Sequence, residues 1–269
     1  MTRQRMRLPN PSNNQRRLTV TASVSQALPS HAPWIVMKFG GTSVATLPRW
    51  QNIRELVASR RAEGARVLIV VSALSGITDA LKQLCAQGDK SKRIEAAAAI
   101  KQRHHELLEQ MQLAPPEGLL ARLDDLAQLA EDGPRVLGEL AWQAQVQAHG
   151  ELLSSTLGAA FLSATGVATQ WLDARECLTA IALPNQNERT RLLSAMVEAR
   201  PDPVLTARLA GLGEVFITQG FIAREGRDDG IAGRTVLLGR GGSDTSAAYL
   251  GALLKAQRVE IWTDVAGMF

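Results

Sequence analysis

The chain has 269 residues, 45% of them hydrophobic and 4% aromatic, with a formal net charge of +4, enough for one large α/β domain or two small ones. No apolar stretch approaches the length a bilayer requires, so a soluble chain without a membrane partner is expected. Arg3, Arg5, Arg7, Arg16 and Arg17 stand in residues 1–33 without any acid, leaving 25 basic against 26 acidic residues beyond them, and a nucleic-acid partner is excluded because the folded part is not basic and lacks interleaved aromatics.

The segment 1–33 is polar, proline-punctuated and without a periodic apolar face, and reads as a disordered basic tail. It is taken first as a plain extension; its Arg/Ser-rich, acid-free composition also resembles an organelle transit peptide. Residues 34–37, "WIVM", form a short β-rich run that ends at Lys38 and the glycine pair Gly40-Gly41, and a helical pattern starts near Pro48. A second buried strand covers 65–73, followed by the Ser75-Gly76 turn and Thr78 as a candidate N-cap of the next helix. From 90 to 164 the pattern is almost wholly helical. Residues 167–173, 213–223 and 258–265 read as further strands, and "TVLL" (235–238) precedes "GRGGSD", where Ser243 is a candidate N-cap. Short strands separated by helices imply a mainly parallel sheet covered on both faces.

Three glycine and hydroxyl clusters therefore follow strands, where an open α/β sheet binds ligands and where glycine lets backbone N–H groups approach an anion. Two carry a cation, Lys38 and Arg240. Neither a Walker A loop nor a Rossmann fingerprint is present, since the lysine precedes the glycines. Cys85 and Cys177 have no metal-like spacing and are expected to be reduced thiols. The neighbours His104 and His105 face different directions on a helix and do not form a metal pair. His149, beside Gly150, is expected at a helix break, and Trp142 and Trp171 in packing.

Taken in order, "KFGGTS", "SALSGIT", "HGELLS", "ITQGFIA", "GRGGSD" and "VEIWTDVAG" resemble the motifs of the aspartokinase catalytic domain in the amino acid kinase superfamily, over about residues 34–269. "KFGGTS" with "GRGGSD" favours that group over acetylglutamate, glutamate 5-, uridylate and carbamate kinases. "GELLSSTLGAAFL" and "GRGGSDTSAAYLGALL" are most similar to the subgroup fused to diaminopimelate decarboxylase in some bacteria. The resemblance implies an α/β fold, a three-layer αβα sandwich with a mainly parallel central sheet. It also implies a cytoplasmic, homo-oligomeric enzyme that phosphorylates the β-carboxylate of L-aspartate with ATP and its bound Mg2+, the first step towards lysine, threonine and methionine. A carboxylate nucleophile with a pKa near ~4 needs no general base, so positioning and charge neutralisation are what the protein must supply.

The same resemblance places Lys38 on the transferring phosphate, Gly40 and Gly41 as backbone donors, and Thr42 and Ser43 along that loop. Arg240 is implied to grip the α-carboxylate of aspartate with its planar fork, Glu151 to take the α-ammonium, and Thr78 and Ser243 to complete the substrate pocket. Asp244 would orient Lys38 or the metal shell, and Thr263 and Asp264 match a nucleotide-binding "TD". No residue is expected to hold a metal by itself. Without the resemblance, Glu151 reads as a solvated helix residue, Arg240 as an exposed loop arginine, and Thr263 with Asp264 as a strand terminus.

Relatives are expected to continue past "GMF" with a "DPR" arginine, a "GAKVLHP" lysine and regulatory ACT domains, whereas this chain stops at Phe269. The expectation is a complete aspartate pocket, a truncated nucleotide site, and a sheet incomplete at its C-terminal side with an open edge prone to association. A non-catalytic remnant that binds aspartate or a partner stays open beside an active kinase, as does another amino acid kinase acting on glutamate or carbamate.

Overall fold

A computed structural model describes residues 28–29, 31–226 and 233–263. Its centre is a five-stranded sheet built from β1 (Trp34–Phe39), β2 (Arg66–Val71), β3 (Gln170–Leu172), β5 (Val215–Gln219) and β8 (Arg258–Trp262), in the order β3-β5-β2-β1-β8. Every pairing in it is parallel. β1 and β2 are buried at all six positions, so both faces must be covered, which is why they read as continuous apolar runs.

Alternation along β1 divides the core. Ile35, Met37 and Phe39 pack on one face with α1 (Leu47–Ala62), α3 (Lys90–Met111) and α5 (Glu139–Ala164). Trp34 and Val36 pack on the other with α7 (Pro203–Leu212) and α8 (Gly242–Leu253). Lys38 shares the parity of Trp34 and Val36, so it emerges on the α8 face at the carboxyl end of the strand. The remaining helices are α2 (Ile77–Ala86), α4 (Glu117–Asp132) and α6 (Glu188–Leu193). Helices on both faces of a mainly parallel sheet make the expected three layers.

Local expectations need correction at four points. The run 213–223 is two strands in different sheets: β5 ends at Gln219, Phe221 takes φ of 69°, and β6 (Ile222–Glu225) starts a second sheet with β4 (Thr179–Ala180) and β7 (Thr235–Leu237). That sheet lies partly in a stretch to which the sequence alone assigns no element. α5 runs unbroken through Gly150, because a Cβ there would stand 2.7 Å from the Cβ of Ala73, and the glycine marks a close crossing rather than a break. Neither Thr78 nor Ser243 is an N-cap. Gly76 and Gly241 hold those positions in the left-handed region, at φ of 84° and 74°, where a side chain is strained.

Of the segment assigned to the tail, the described residues are tied down. Leu28 N–H donates to Glu214 Oε1 at 2.6 Å, and Pro29 O accepts from Arg66 Nη1 at 2.9 Å. Among the described residues, no helix is long and apolar enough to cross a membrane.

Candidate active site

The carboxyl ends of β1, β2 and β7 and the N-terminus of α8 open into one cavity of about 890 Å³. At its floor the Lys38 ammonium lies 2.6 Å from Asp244 Oδ1. Lys38 is 9% exposed, while the Asp244 side chain keeps 56% of its surface in solvent. The half-exposed carboxylate aims the buried ammonium, and the solvated face of Asp244 remains open to a ligand.

The loops that frame the floor are laced by close backbone contacts. A Cβ on Gly41 would meet Ala73 O at 2.8 Å, and Gly41 O accepts from Ser75 N–H at 3.1 Å, which locks the β1 and β2 loops together. On the opposite side a Cβ on Gly220 would lie 2.6 Å from Ser243, and one on Gly242 would lie 2.8 Å from the Phe221 ring. Ser246 Oγ accepts from Phe221 N–H at 2.9 Å and donates to Gly242 O at 2.7 Å, so the turn after β5 is fastened to the first turn of α8. Within that turn Gly242, Asp244 and Thr245 donate their N–H groups to the Gly239 and Gly241 carbonyls, and the positive end of the helix dipole faces the cavity.

Glu151 stands on α5 and is 4% exposed. Its Oε1 accepts from Ala73 N–H at 3.1 Å, and burial pushes its carboxyl up to about 8. Below it, Ser154 Oγ donates to Ser72 O at 2.7 Å, which pins the same helix to the end of β2. Arg240 follows Gly239, whose φ of 74° leaves the loop facing the cavity, and it makes no ion pair or hydrogen bond among the described residues.

Lys38, Thr78, Glu151, Arg240, Ser243 and Asp244 thus line a single cavity. Gly40 adjoins it, since a Cβ there would stand 3.7 Å from Lys38 Nζ. Thr42 is exposed in the short 3-10 turn after β1. The structure does not bring Ser43 and Thr263 into the same space; both line a separate cavity of about 430 Å³ against α1, beside the stacked Phe39 and Trp262 rings. Asp264 lies outside the described residues. Of the two partners considered for Asp244, Lys38 is in contact with it.

Other candidates take structural places. His149 and His104 are buried, each with Nδ1 on a carbonyl of its own helix, and burial pulls both down to about 4, so both are neutral. Trp142 is buried and donates to Leu129 O at 2.9 Å, while Trp171 lies under the Arg122 guanidinium at 4.2 Å. Both cysteines are free and half-buried. Sequence reasoning missed Phe221, Lys82, Gln147 and Arg189 as lining residues. Phe221 carries a readable signal only in hindsight: it follows a glycine at a strand end and pays for its place with a left-handed backbone.

Comparisons with known proteins show the family. A sequence model described as "Amino acid kinase family" matches residues 33–269. Lysine-sensitive aspartokinase 3 of Escherichia coli (strain K12) is 35% identical over 250 residues, 87% of this chain and 50% of that protein. The aspartokinase of Chlamydia trachomatis is 32% identical, over 87% of this chain and 49% of that protein. The crystal structure of E. coli aspartokinase III in complex with aspartate and ADP superposes with a TM-score of 0.70 at 34% identity, over 87% of this chain and 49% of that chain. The chain spans about half the length of these relatives.

Proposed function

This chain belongs to the amino acid kinase family, and from that membership we propose that it transfers the γ-phosphoryl group of ATP to the β-carboxylate of L-aspartate, giving 4-phospho-L-aspartate. The observation that carries the reading is the Lys38–Asp244 pair at the floor of a cavity that also holds Arg240 and Glu151. The solved relative that binds aspartate and ADP supports the choice of substrates.

The chemistry asks little of proton transfer. The aspartate β-carboxylate is ionised at neutral pH, so the barrier lies in bringing an anion onto an anionic phosphoryl group. Lys38 offsets that repulsion where charge develops, and Asp244 fixes the ammonium in place. Gly40 and Gly41 leave the backbone bare so that phosphate oxygens reach N–H donors, with Thr42 and Ser43 following on the same loop. Arg240 takes the α-carboxylate, Glu151 the α-ammonium, and Thr78 and Ser243 bond the remaining polar atoms. Thr263 and Asp264 serve the nucleotide side.

Among the described residues no group of three or more histidine, cysteine or acidic side chains converges as a metal site. Asp244, whose side chain stays more than half exposed, would offer one oxygen to a Mg2+ ion that arrives on the nucleotide phosphates. When bound, the ion would neutralise phosphate charge. A cytoplasmic setting, where ATP and free aspartate meet, belongs to the same proposal.

The test is ATP-dependent formation of aspartyl hydroxamate from MgATP, L-aspartate and hydroxylamine. Turnover is expected, with a loss on the order of 10²- to 10³-fold in Lys38→Ala. A folded chain that neither turns over nor binds aspartate by calorimetry overturns the proposal. Binding without turnover, lost in Arg240→Ala, replaces it with an aspartate-binding remnant.

A further inference from the structure

The cavity is longer than one amino acid needs. Gln143, Gln147 and Glu151 line it from α5 at four-residue steps, which spans about 12 Å of helix axis. Thr78, Lys82 and Cys85 line it from α2. The two helices run in opposite directions: Gly150 meets Leu81 midway along α2, while Cys85 near its end feels the Glu139 carboxylate at the start of α5. The four carbons of aspartate, at about 1.5 Å per bond, reach about 4 Å. An outer half therefore remains beyond Glu151, walled by Lys82, Cys85, Gln143 and, from α6, Arg189 and Leu193.

The outer half is lined by two cations and by no acid of its own. Arg189 makes no ion pair or hydrogen bond among the described residues. Lys82 has a loose 3.9 Å approach to Asp79, an acid 80% exposed on the solvent side of α2. Glu139, outside the rim, keeps its charge, since its partner there is the neutral Gln143 amide at 2.7 Å. The two acids lining the cavity do not offset these cations, since Asp244 is matched by Lys38 and burial holds Glu151 near neutrality. The helix that carries Arg189 is held in place: Ala195 N–H donates to Leu237 O at 2.8 Å, and Ser194 Oγ is the atom a Cβ on Gly239 would meet at 2.7 Å, so α6 is docked on the Arg240 loop.

We propose that this outer half is an electrostatic vestibule in which Lys82 and Arg189 draw anionic ligands inward to Lys38 and Arg240. Low-dielectric walls and one sign of charge focus the field and raise the local anion concentration. Carboxylate- and phosphate-bearing ligands as the natural cargo follow from the proposed function; the charge of the vestibule does not depend on it.

Cys85 supplies a probe already in the wall. In a Cys177→Ser background, its reaction is timed with a dianionic disulfide, 5,5′-dithiobis(2-nitrobenzoate), and with a neutral one, 4,4′-dithiodipyridine. The ratio of the two rates cancels the small thiolate fraction of a thiol that burial pushes up to about 12. At about 0.01 M ionic strength the ratio is expected to fall about two- to fivefold in Lys82→Gln and in Arg189→Gln, and to recover in Arg189→Lys. At about 0.15 M, where the Debye length shrinks from about 30 to 8 Å, the differences should narrow. Equal ratios in all variants overturn the vestibule, whether or not the chain turns over. A charge-dependent ratio in a chain without turnover supports the vestibule and overturns the proposed reaction alone.

Discussion

Glu151 accepts a backbone hydrogen bond inside the protein yet titrates near 8 because burial outweighs that bond. A carboxyl raised from 4.5 binds its proton more tightly folded than unfolded. The ligand-free chain should therefore lose stability as pH rises between about 4.5 and about 8, by at most about 1.4 kcal/mol per pH unit, and Glu151→Gln should flatten that slope in urea titrations. Ligand binding should run the opposite way. An α-ammonium pairs with the ionised form, so the KM for aspartate should fall as pH rises from about 6 to about 8, and the glutamine variant should show a weak, flat KM. A fall of equal depth in that variant would remove Glu151 from the ammonium site. At this scale Lys38 was legible as a cavity residue because a cation beside glycines at a strand end has few structural uses, whereas Arg240 by itself read as an exposed loop arginine. Arg189 and Lys82 were not legible, because a lone cation on a helix carries no mark of the wall it faces.

Helix α5 is the element on which the site is hung, and glycine sets how closely it lies. A Cβ on Gly158 would stand 2.1 Å from Trp50 Cη2 and 2.8 Å from Ile217 Cδ1, both in the core. Alanine favours a helix by about 1 kcal/mol over glycine, but overpacking a filled core costs about 1–3 kcal/mol. Gly158→Ala should accordingly lower the urea midpoint and change the Trp50 emission; an increase in stability would show that the interface has slack. The helical run from 90 to 164 was readable from its pattern. The position of α5 was not, since Gly150 suggests a break in one dimension and a crossing only in three. The same blindness merged β5 with β6, where the chain changes sheet at Gly220-Phe221 without losing its apolar character.

Across the whole molecule the parallel sheet and its two covers followed from alternating strands and helices, while the small second sheet came from strands too short to show a pattern, one of which, β4, pairs with a segment distant in sequence. β8 lies at the edge of the large sheet and pairs with β1 alone among the described strands, with Val259 and Ile261 39% and 44% exposed. Such an edge is a template for further pairing. We expect concentration-dependent association in sedimentation velocity, reduced by a lysine at Val259. A monomer across the accessible concentration range would mean that the edge is blunted by its flanking charges, Arg258 and Glu260.

The order β3-β5-β2-β1-β8 places the second strand of the central pair early in the chain and its other neighbour near the end. Lys38 and Asp244 are likewise joined across more than 200 residues. On a ribosome adding about 5–20 residues per second, β1 waits roughly 10 to 40 s after its own synthesis for α8 to appear. Through that interval the lysine has no carboxylate and one edge of β1 has no partner. The Lys38–Asp244 pair is thus a late contact in the synthesis of residues 34–263, and the proposed phosphoryl chemistry must wait for α8.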